Sequence, residues 1–170
     1  IVHVFNSSVI SGPEMLTMPA LPHLGREMNV PVAVLLLIEE RLGVQKAKAV
    51  EDYTRQFGFE VKVVSVQSRM DSGAVNRLAH ALKELDPQVV HAHDVKASTY
   101  VLFANRKCRL ADSSWAPLLV STHHGTLARR GLTRVYEEFY VRVILPYFDR
   151  IVVVCEADLE SVARRSNSKH

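Results

Sequence analysis

The chain has 170 residues, of which 48% are hydrophobic and 23% are charged, with a formal net charge of +3. This length fits one domain, the composition excludes a largely disordered chain, and the charge is too small to indicate a nucleic-acid partner. The longest apolar run, residues 32–38, is far shorter than the ~20 residues of a membrane span. Two cysteines without CxxC spacing favour a reducing compartment, so we expect a cytoplasmic protein.

Six short apolar runs rich in Val, Ile and Leu predict β-strands. Most of the runs are continuous rather than alternating, which is typical of strands buried on both faces of a parallel sheet. They lie at residues 1–5, 32–38, 61–66, 89–92, 118–121 and 151–154.

Apolar stripes with helical spacing separate several of these runs and are expected to cover the sheet. The stripes are Val50, Tyr53 and Phe57; Val75, Leu78, Leu82 and Leu85; and Val135, Phe139 and Val143. Met15, Leu16 and Met18 are expected in the core of an earlier helix, and Asp71 is expected to cap the helix that ends before Asp86-Pro87.

This alternation of strands and helices predicts the fold. It indicates an α/β doubly wound, Rossmann-like three-layer sandwich with a mainly parallel sheet. We expect one domain over residues 1–166, followed by a polar tail at residues 167–170.

In such a fold, ligands bind at the carboxyl ends of the strands, so the loops there are the candidate sites. The first loop, residues 6–12, ends in Gly12 and Pro13. Small residues before a helix can hold a phosphate against the helix amides, and Pro13 suits a first helical position. An ordinary strand-to-helix turn is the alternative, because neither a GxGxxG nor a P-loop motif is present.

Histidines gather after the fourth and fifth strands. His91 and His93 alternate along one strand and should point the same way, with Asp94 following. His123 and His124 end the next strand. One interpretation is a metal site built from His91, His93, Asp94 and either His123 or His124. In the other, His91 is a core residue, whereas His124 hydrogen-bonds or exchanges a proton with a substrate hydroxyl.

A basic cluster next to aromatic residues marks the segment after the fifth strand. Arg129, Arg130 and Arg134 precede Tyr136 and Phe139. Such a cluster can contact an anionic acceptor or lipid headgroups, which suggests peripheral contact with the inner face of a membrane. The simpler interpretation is a solvated helix start over a core-facing stripe.

Three segments together resemble the N-terminal, acceptor-side domain of GT-B glycosyltransferases, and specifically the retaining family 4 enzymes. They read SGPE after strand one, VVHAHDVKAS around strand four and LLVSTHHG around strand five. The resemblance covers residues 1–166. It implies that this chain is one half of a GT-B fold and that a C-terminal donor-binding domain, absent from this sequence, completes the enzyme.

The resemblance also implies roles for individual residues. Ser11 and Gly12 would approach the donor diphosphate, although Ser11 stands where the family often has a second Gly. His124 matches the family histidine that lines the active cleft, and is the candidate catalytic residue. The implied acceptor-binding residues are His93, Asp94, Lys96, His123 and Gly125.

The implied function is transfer of a sugar from a nucleotide-sugar donor to an acceptor hydroxyl, with retention. The acceptor would be a carbohydrate, a lipid-linked molecule or a small molecule. No metal or other cofactor is expected, because the nucleotide-sugar is a co-substrate and side chains supply the cations. Two alternatives stay open: a metal-dependent hydrolase using the His/Asp cluster, and a non-catalytic α/β module that binds a nucleotide or a partner.

Overall fold

The fold is built on one six-stranded parallel sheet. In a computed structural model, residues 1–7, 9–68, 70–123, 132–156 and 158–159 are described, without the side chains of residues 42, 132–134 and 137. The strands are β1 (Val2–Asn6), β2 (Ala33–Glu39), β3 (Glu60–Val66), β4 (Val89–Ala92), β5 (Leu118–His123) and β6 (Arg150–Val153). Each lies within two residues of its predicted position.

Five α-helices connect the strands within the ranges just given. They are α1 (Gly12–Met28), α2 (Val44–Arg55), α3 (Ser72–Leu85), α4 (Val95–Ala111) and α5 (Leu132–Phe139). A π-helical turn, Tyr140–Ile144, continues α5, and 3-10 turns occupy Glu40–Leu42 and Leu145–Tyr147. None of the helices in the described part of the chain is long and apolar enough to cross a bilayer.

Alternating strand residues divide the core into two parts. One cluster packs strand residues such as Val34 and Leu36 against Met18 of α1 and Val50 of α2. The other packs Leu35 and Leu37, with residues of α3, α4 and the π-helical turn, on the opposite face. Helices therefore cover both faces, which confirms the predicted doubly wound α/β sandwich.

The predicted stripes of α2 and α3 are confirmed, but that of α5 is wrong. Val135, Phe139 and Val143 are 66%, 44% and 43% exposed, whereas Tyr140 and Ile144 are buried. The chain changes from α to π winding at Tyr140, which rotates Val143 relative to the α-helical spacing. Val135 and Phe139 precede this change and are exposed on the α-helical part itself.

The strand order is β3-β2-β1-β4-β5-β6. The chain adds strands in one direction from β1 to β3 and in the other from β4 to β6. Since all the pairings are parallel, the loops after β1 and β4 leave the same edge at the point where the order reverses. A crevice at such a point is the usual ligand site of this architecture.

Candidate functional site

One carboxylate joins the two loops at the switch point between β1 and β4. The Asn6 amide donates to Asp94 Oδ2 at 2.9 Å, and the Ala97 amide donates to Asp94 Oδ1 at 2.8 Å. Asp94 is thus the N-cap of α4 and also anchors the end of β1. The family resemblance implied that Asp94 binds the acceptor substrate. In the structure, its carboxylate instead accepts hydrogen bonds from two backbone amides of the protein.

Burial changes the acidity of this carboxyl group. It raises the pKa of Asp94 from 3.8 to about 6, although the amides of Ala97, Asn6 and Lys96 act in the opposite direction. The nearby Glu14 adds a smaller upward contribution. Asp94 therefore changes its charge within the mildly acidic range, at the join between the two loops.

A second carboxylate shapes the loop after β1. Glu14 Oε1 accepts from the Ser7 hydroxyl at 2.7 Å. Glu14 Oε2 accepts from the hydroxyl and the amide of Ser11 at 2.6 and 3.1 Å. The Ser11 hydroxyl, predicted to face a donor, is therefore used to hold the loop against the first turn of α1.

Gly12 opens α1 onto free space. A Cβ placed at Gly12 meets nothing within 4 Å among the described atoms. Pro13 occupies the start of the helix, as predicted. The first amides of a helix carry partial positive charge, so an anion can approach the backbone here.

Exposed apolar side chains surround this loop. Met15 and Leu16 are 61% and 79% exposed, so their predicted core position is wrong; only Met18 of the three is buried. Val9 and Ile10 of the loop are exposed as well. Apolar residues clustered in this way are typical of a surface that binds another molecule or domain.

Three imidazoles line the α1 side of β1 and β4. The predicted common direction of His91 and His93 is confirmed, with ring centroids 4.2 Å apart. His3 was not predicted to belong to this group; it pairs in register with His91, and its Nδ1 lies 2.9 Å from His93 Nε2. Only the adjacency of β1 and β4, which local sequence does not reveal, brings His3 to the pair.

Burial keeps the His3 imidazole uncharged at neutral pH. It lowers the pKa of His3 to about 3, with smaller contributions from His91 and the N-terminal ammonium. His93 is also buried and stacks on Phe5, with ring centroids 4.0 Å apart. Because His3 is neutral and buried, it supports the two loops structurally and does not carry protons at neutral pH.

In the described part of the chain, the predicted metal-ligand set comes together only at His91 and His93. Nitrogens of His3, His91 and His93 lie within 4.8 Å of one another. However, His93 Nε2 lies at hydrogen-bond distance from His3, and His91 Nε2 lies 2.7 Å from Thr122 Oγ1. The Asp94 carboxylate accepts from the backbone amides of Asn6 and Ala97.

His123 lies on the other side of the sheet from His93. It is buried and stacks on Tyr140, with ring centroids 5.6 Å apart. Tyr140 belongs to the core cluster that packs against α3 and α4. The expectation that the histidines of both loops share one cleft is therefore wrong for His123. The candidate catalytic His124, together with Gly125, Arg129 and Arg130, lies outside the described residues.

Lys96 links α4 to the end of β2. Its Nζ lies 2.6 Å from Glu39 Oε1, and both side chains are about 15% exposed. The hydrogen bond from Lys96 is the main reason that the pKa of Glu39 is lowered, and Arg41 acts in the same direction. Lys96 thus lies at the carboxyl edge of the sheet with its charge already paired.

Comparisons with known proteins bear on this geometry. A search of curated proteins gives no significant match. The family model described as Glycosyltransferase Family 4 matches residues 31–169, which is most of the chain. That match agrees with the parallel sheet, with the reversal of strand order between β1 and β4 and with the layout of one half of a GT-B fold. The chain belongs to Glycosyltransferase Family 4.

Proposed function

We propose that this domain forms the acceptor side of an enzyme that transfers a sugar from a nucleotide-sugar to an acceptor hydroxyl, with retention. The observation that carries the proposal is the joined pair of loops at the switch point, Asn6 to Asp94, in a chain of a glycosyltransferase family. The acceptor oxygen bonds to the anomeric carbon as the bond from that carbon to the diphosphate breaks. The hydroxyl proton passes to the departing diphosphate.

The loop after β1 is proposed to face the donor. The open space at Gly12 lets a diphosphate approach the first amides of α1. Partial positive charge at these amides stabilises the negative charge that develops on the leaving group. Ser11 serves mainly by holding the loop through Glu14.

The loop after β4 is proposed to support the acceptor. His93, Asp94 and Lys96 lie at or below the carboxyl edge, and each is engaged with a neighbouring side chain or amide. They would position the surface on which the acceptor rests. Gly125 is proposed as a further acceptor-side residue, and His124 as the group that contacts the transferred sugar. His123, buried against Tyr140, is proposed only to support the end of β5.

The remaining components follow from the family. A second domain of the same polypeptide is proposed to bind the nucleotide, so residues 1–170 alone are expected to transfer no sugar. No metal cofactor is required in this proposal, because amides and cationic side chains stabilise the diphosphate. We place the enzyme in the cytoplasm, with peripheral contact at the inner face of the membrane through the basic segment after β5.

The direct test uses the full-length protein with a panel of nucleotide-sugars, and it measures release of the nucleoside diphosphate. We expect turnover with at least one donor and acceptor pair. His124→Ala should lower the rate by about 10²–10⁴-fold, the range of a positioned hydrogen-bonding or proton-transfer group, with unchanged thermal unfolding. No turnover with any donor, or a normal rate for His124→Ala, would contradict the proposal or this residue's role.

A metal-dependent hydrolase is the second candidate, because three histidine nitrogens lie within 4.8 Å of one another. Metal analysis of the purified protein separates the two functions. Stoichiometric zinc that is lost in a His3→Ala variant would favour the hydrolase. Sugar transfer that survives chelation would favour the transferase.

A further inference from the structure

An apolar cavity lies between α3 and α4 and has no role in the site described above. Its volume is about 280 Å³. We call it the α3–α4 pocket, and its main lining residues are Met70, Val75, Thr99, Tyr100, Phe103 and Lys107. Methionine and aromatic side chains of this kind adapt well to an apolar guest.

Three polar side chains of the pocket, those of Asp71, Thr99 and Tyr100, already have partners inside the protein. The Tyr100 hydroxyl accepts from the Asp71 amide at 2.9 Å. The Thr99 hydroxyl donates to the Val95 carbonyl at 2.7 Å. The Asp71 carboxylate accepts from the amides of Gln67 and Ala74. A polar guest would gain few hydrogen bonds to these groups, so the pocket suits hydrocarbon.

The pocket adjoins the proposed acceptor side of the cleft. Tyr100 forms part of its wall, and the Lys96 ammonium lies 5.8 Å from the centre of the Tyr100 ring. Thr99 and Phe103 lie five and nine residues after the cap Asp94 in α4, which is roughly 8 to 14 Å along the helix at 1.5 Å per residue. An extended molecule can therefore reach both places.

Exposed apolar residues of α5 extend this surface. Tyr136 contacts Thr99 and is 42% exposed. Val135 and Phe139, which are also exposed, lie on the same short helix. Tyr136 thus brings α5 against Thr99 in the wall of the pocket.

We propose that the acceptor carries an apolar arm, alkyl or aryl, that binds in the α3–α4 pocket. This rests on the proposed function, in which the reacting hydroxyl lies at the switch point. The arm would begin roughly 8 Å from that hydroxyl, as the rise of α4 sets the separation. Burial of hydrocarbon in the pocket supplies affinity without contact with the reacting atoms.

The first experiment measures binding alone, so that it does not depend on sugar transfer. Methyl, hexyl and octyl β-glucosides share one head group and are titrated below their micelle concentrations into the full-length protein. Methyl-labelled NMR follows Met70. We expect Kd to fall by about fourfold for each methylene that enters the pocket, and the Met70 signal to shift with octyl but not with methyl glucoside.

Two substitutions close the pocket by different means. Val75→Trp fills it, and Phe103→Asp places a charge in its wall. Leu110→Trp is the matched control, because Leu110 lies on α4 and is 89% exposed. Both pocket variants should abolish the dependence on chain length, whereas the control should keep it. Thermal unfolding identifies a variant that fails to fold. In that case, the other pocket variant alone tests whether the chain-length dependence is lost.

The outcomes separate the pocket from the proposed function. Equal affinity for methyl and octyl glucosides, or an unchanged preference in a folded pocket variant, would overturn the apolar arm even if sugar is transferred. If chain length governs binding, the KM of the full-length enzyme for acceptors of increasing chain length should follow the same series. A KM that ignores chain length would overturn the assignment of the pocket to the acceptor.

Discussion

The two loops at the switch point differ in how much of their chemistry is already satisfied. The loop after β4 is closed: Asp94 is held by two amides, and His93 is buried against Phe5 and His3. The loop after β1 is open at Gly12 and is bordered by exposed Met15 and Leu16. The loop after β4 therefore forms a rigid support, and the loop after β1 leaves room for a ligand beside it. The closed loop should govern stability, and the open loop should govern binding.

The largest effect on stability is expected at Asp94. At pH 5, Asp94→Ala should lower the free energy of unfolding by about 3 kcal/mol, because the cap of α4 is lost and buried amides lose their acceptor. Urea unfolding of the two proteins measures the difference. A loss below about 1 kcal/mol would show that Asp94 does not join the loops as described.

The second effect is a pH dependence that belongs to the same carboxyl group. Its pKa is about 6 in the folded chain against 3.8 ordinarily, so the folded state holds the proton more tightly. The stability contribution of Asp94 is therefore present below pH 4 and is lost as the pH rises to about 6, by up to about 3 kcal/mol. The free energy of unfolding is measured against pH for the parent and for Asp94→Asn. The difference between the two curves should isolate the loss of stability that is due to Asp94. A flat difference curve would exclude the raised pKa.

A smaller effect is expected where Lys96 pairs with Glu39. A double-mutant cycle with Lys96→Met and Glu39→Gln should give a coupling of about 1 kcal/mol in the free energy of unfolding, since both side chains are mostly buried. High salt should reduce the coupling only in part. Zero coupling would mean that Lys96 is free to bind a ligand.

The smallest effect is expected in the open loop. Ser11→Ala should lower the free energy of unfolding by about 0.5 kcal/mol, because the Ser11 amide and the Ser7 hydroxyl still donate to Glu14. Thermal or urea unfolding measures the loss. A cost that equals that of Asp94→Ala would remove the contrast between the two loops.

Much of the fold could be predicted because buried parallel strands read as continuous apolar runs. The five-residue run at β1 and the seven-residue run at β2 could be assigned as strands without knowing which strands lie beside them. The position of Val143 could not be predicted, since π winding at Tyr140 breaks the helical spacing on which the prediction relied. The exposure of Val135 and Phe139 on α5 was not visible in the spacing of apolar residues alone.

The candidate site was less predictable because its contacts cross between strands. His91 lies in β4 and His93 directly follows that strand, so their common direction followed from alternation alone. His3 joins them only because β1 lies next to β4 in the sheet. His3 and His91, which pair across these strands, are 88 residues apart in the chain. The sequence pattern identified Asp94 as a polar loop residue, but its role as a cap that also holds Asn6 depends on the same adjacency.

The central claim is that Gly12 faces the donor, and it is tested most directly by Gly12→Val in the full-length enzyme. A Cβ at Gly12 meets no described atom within 4 Å, so the free energy of unfolding should stay within about 0.5 kcal/mol of the parent. The donor KM should rise at least tenfold, about 1.4 kcal/mol of lost binding, with a smaller rise for Gly12→Ala. An unchanged donor KM in stably folded Gly12→Val would contradict the claim.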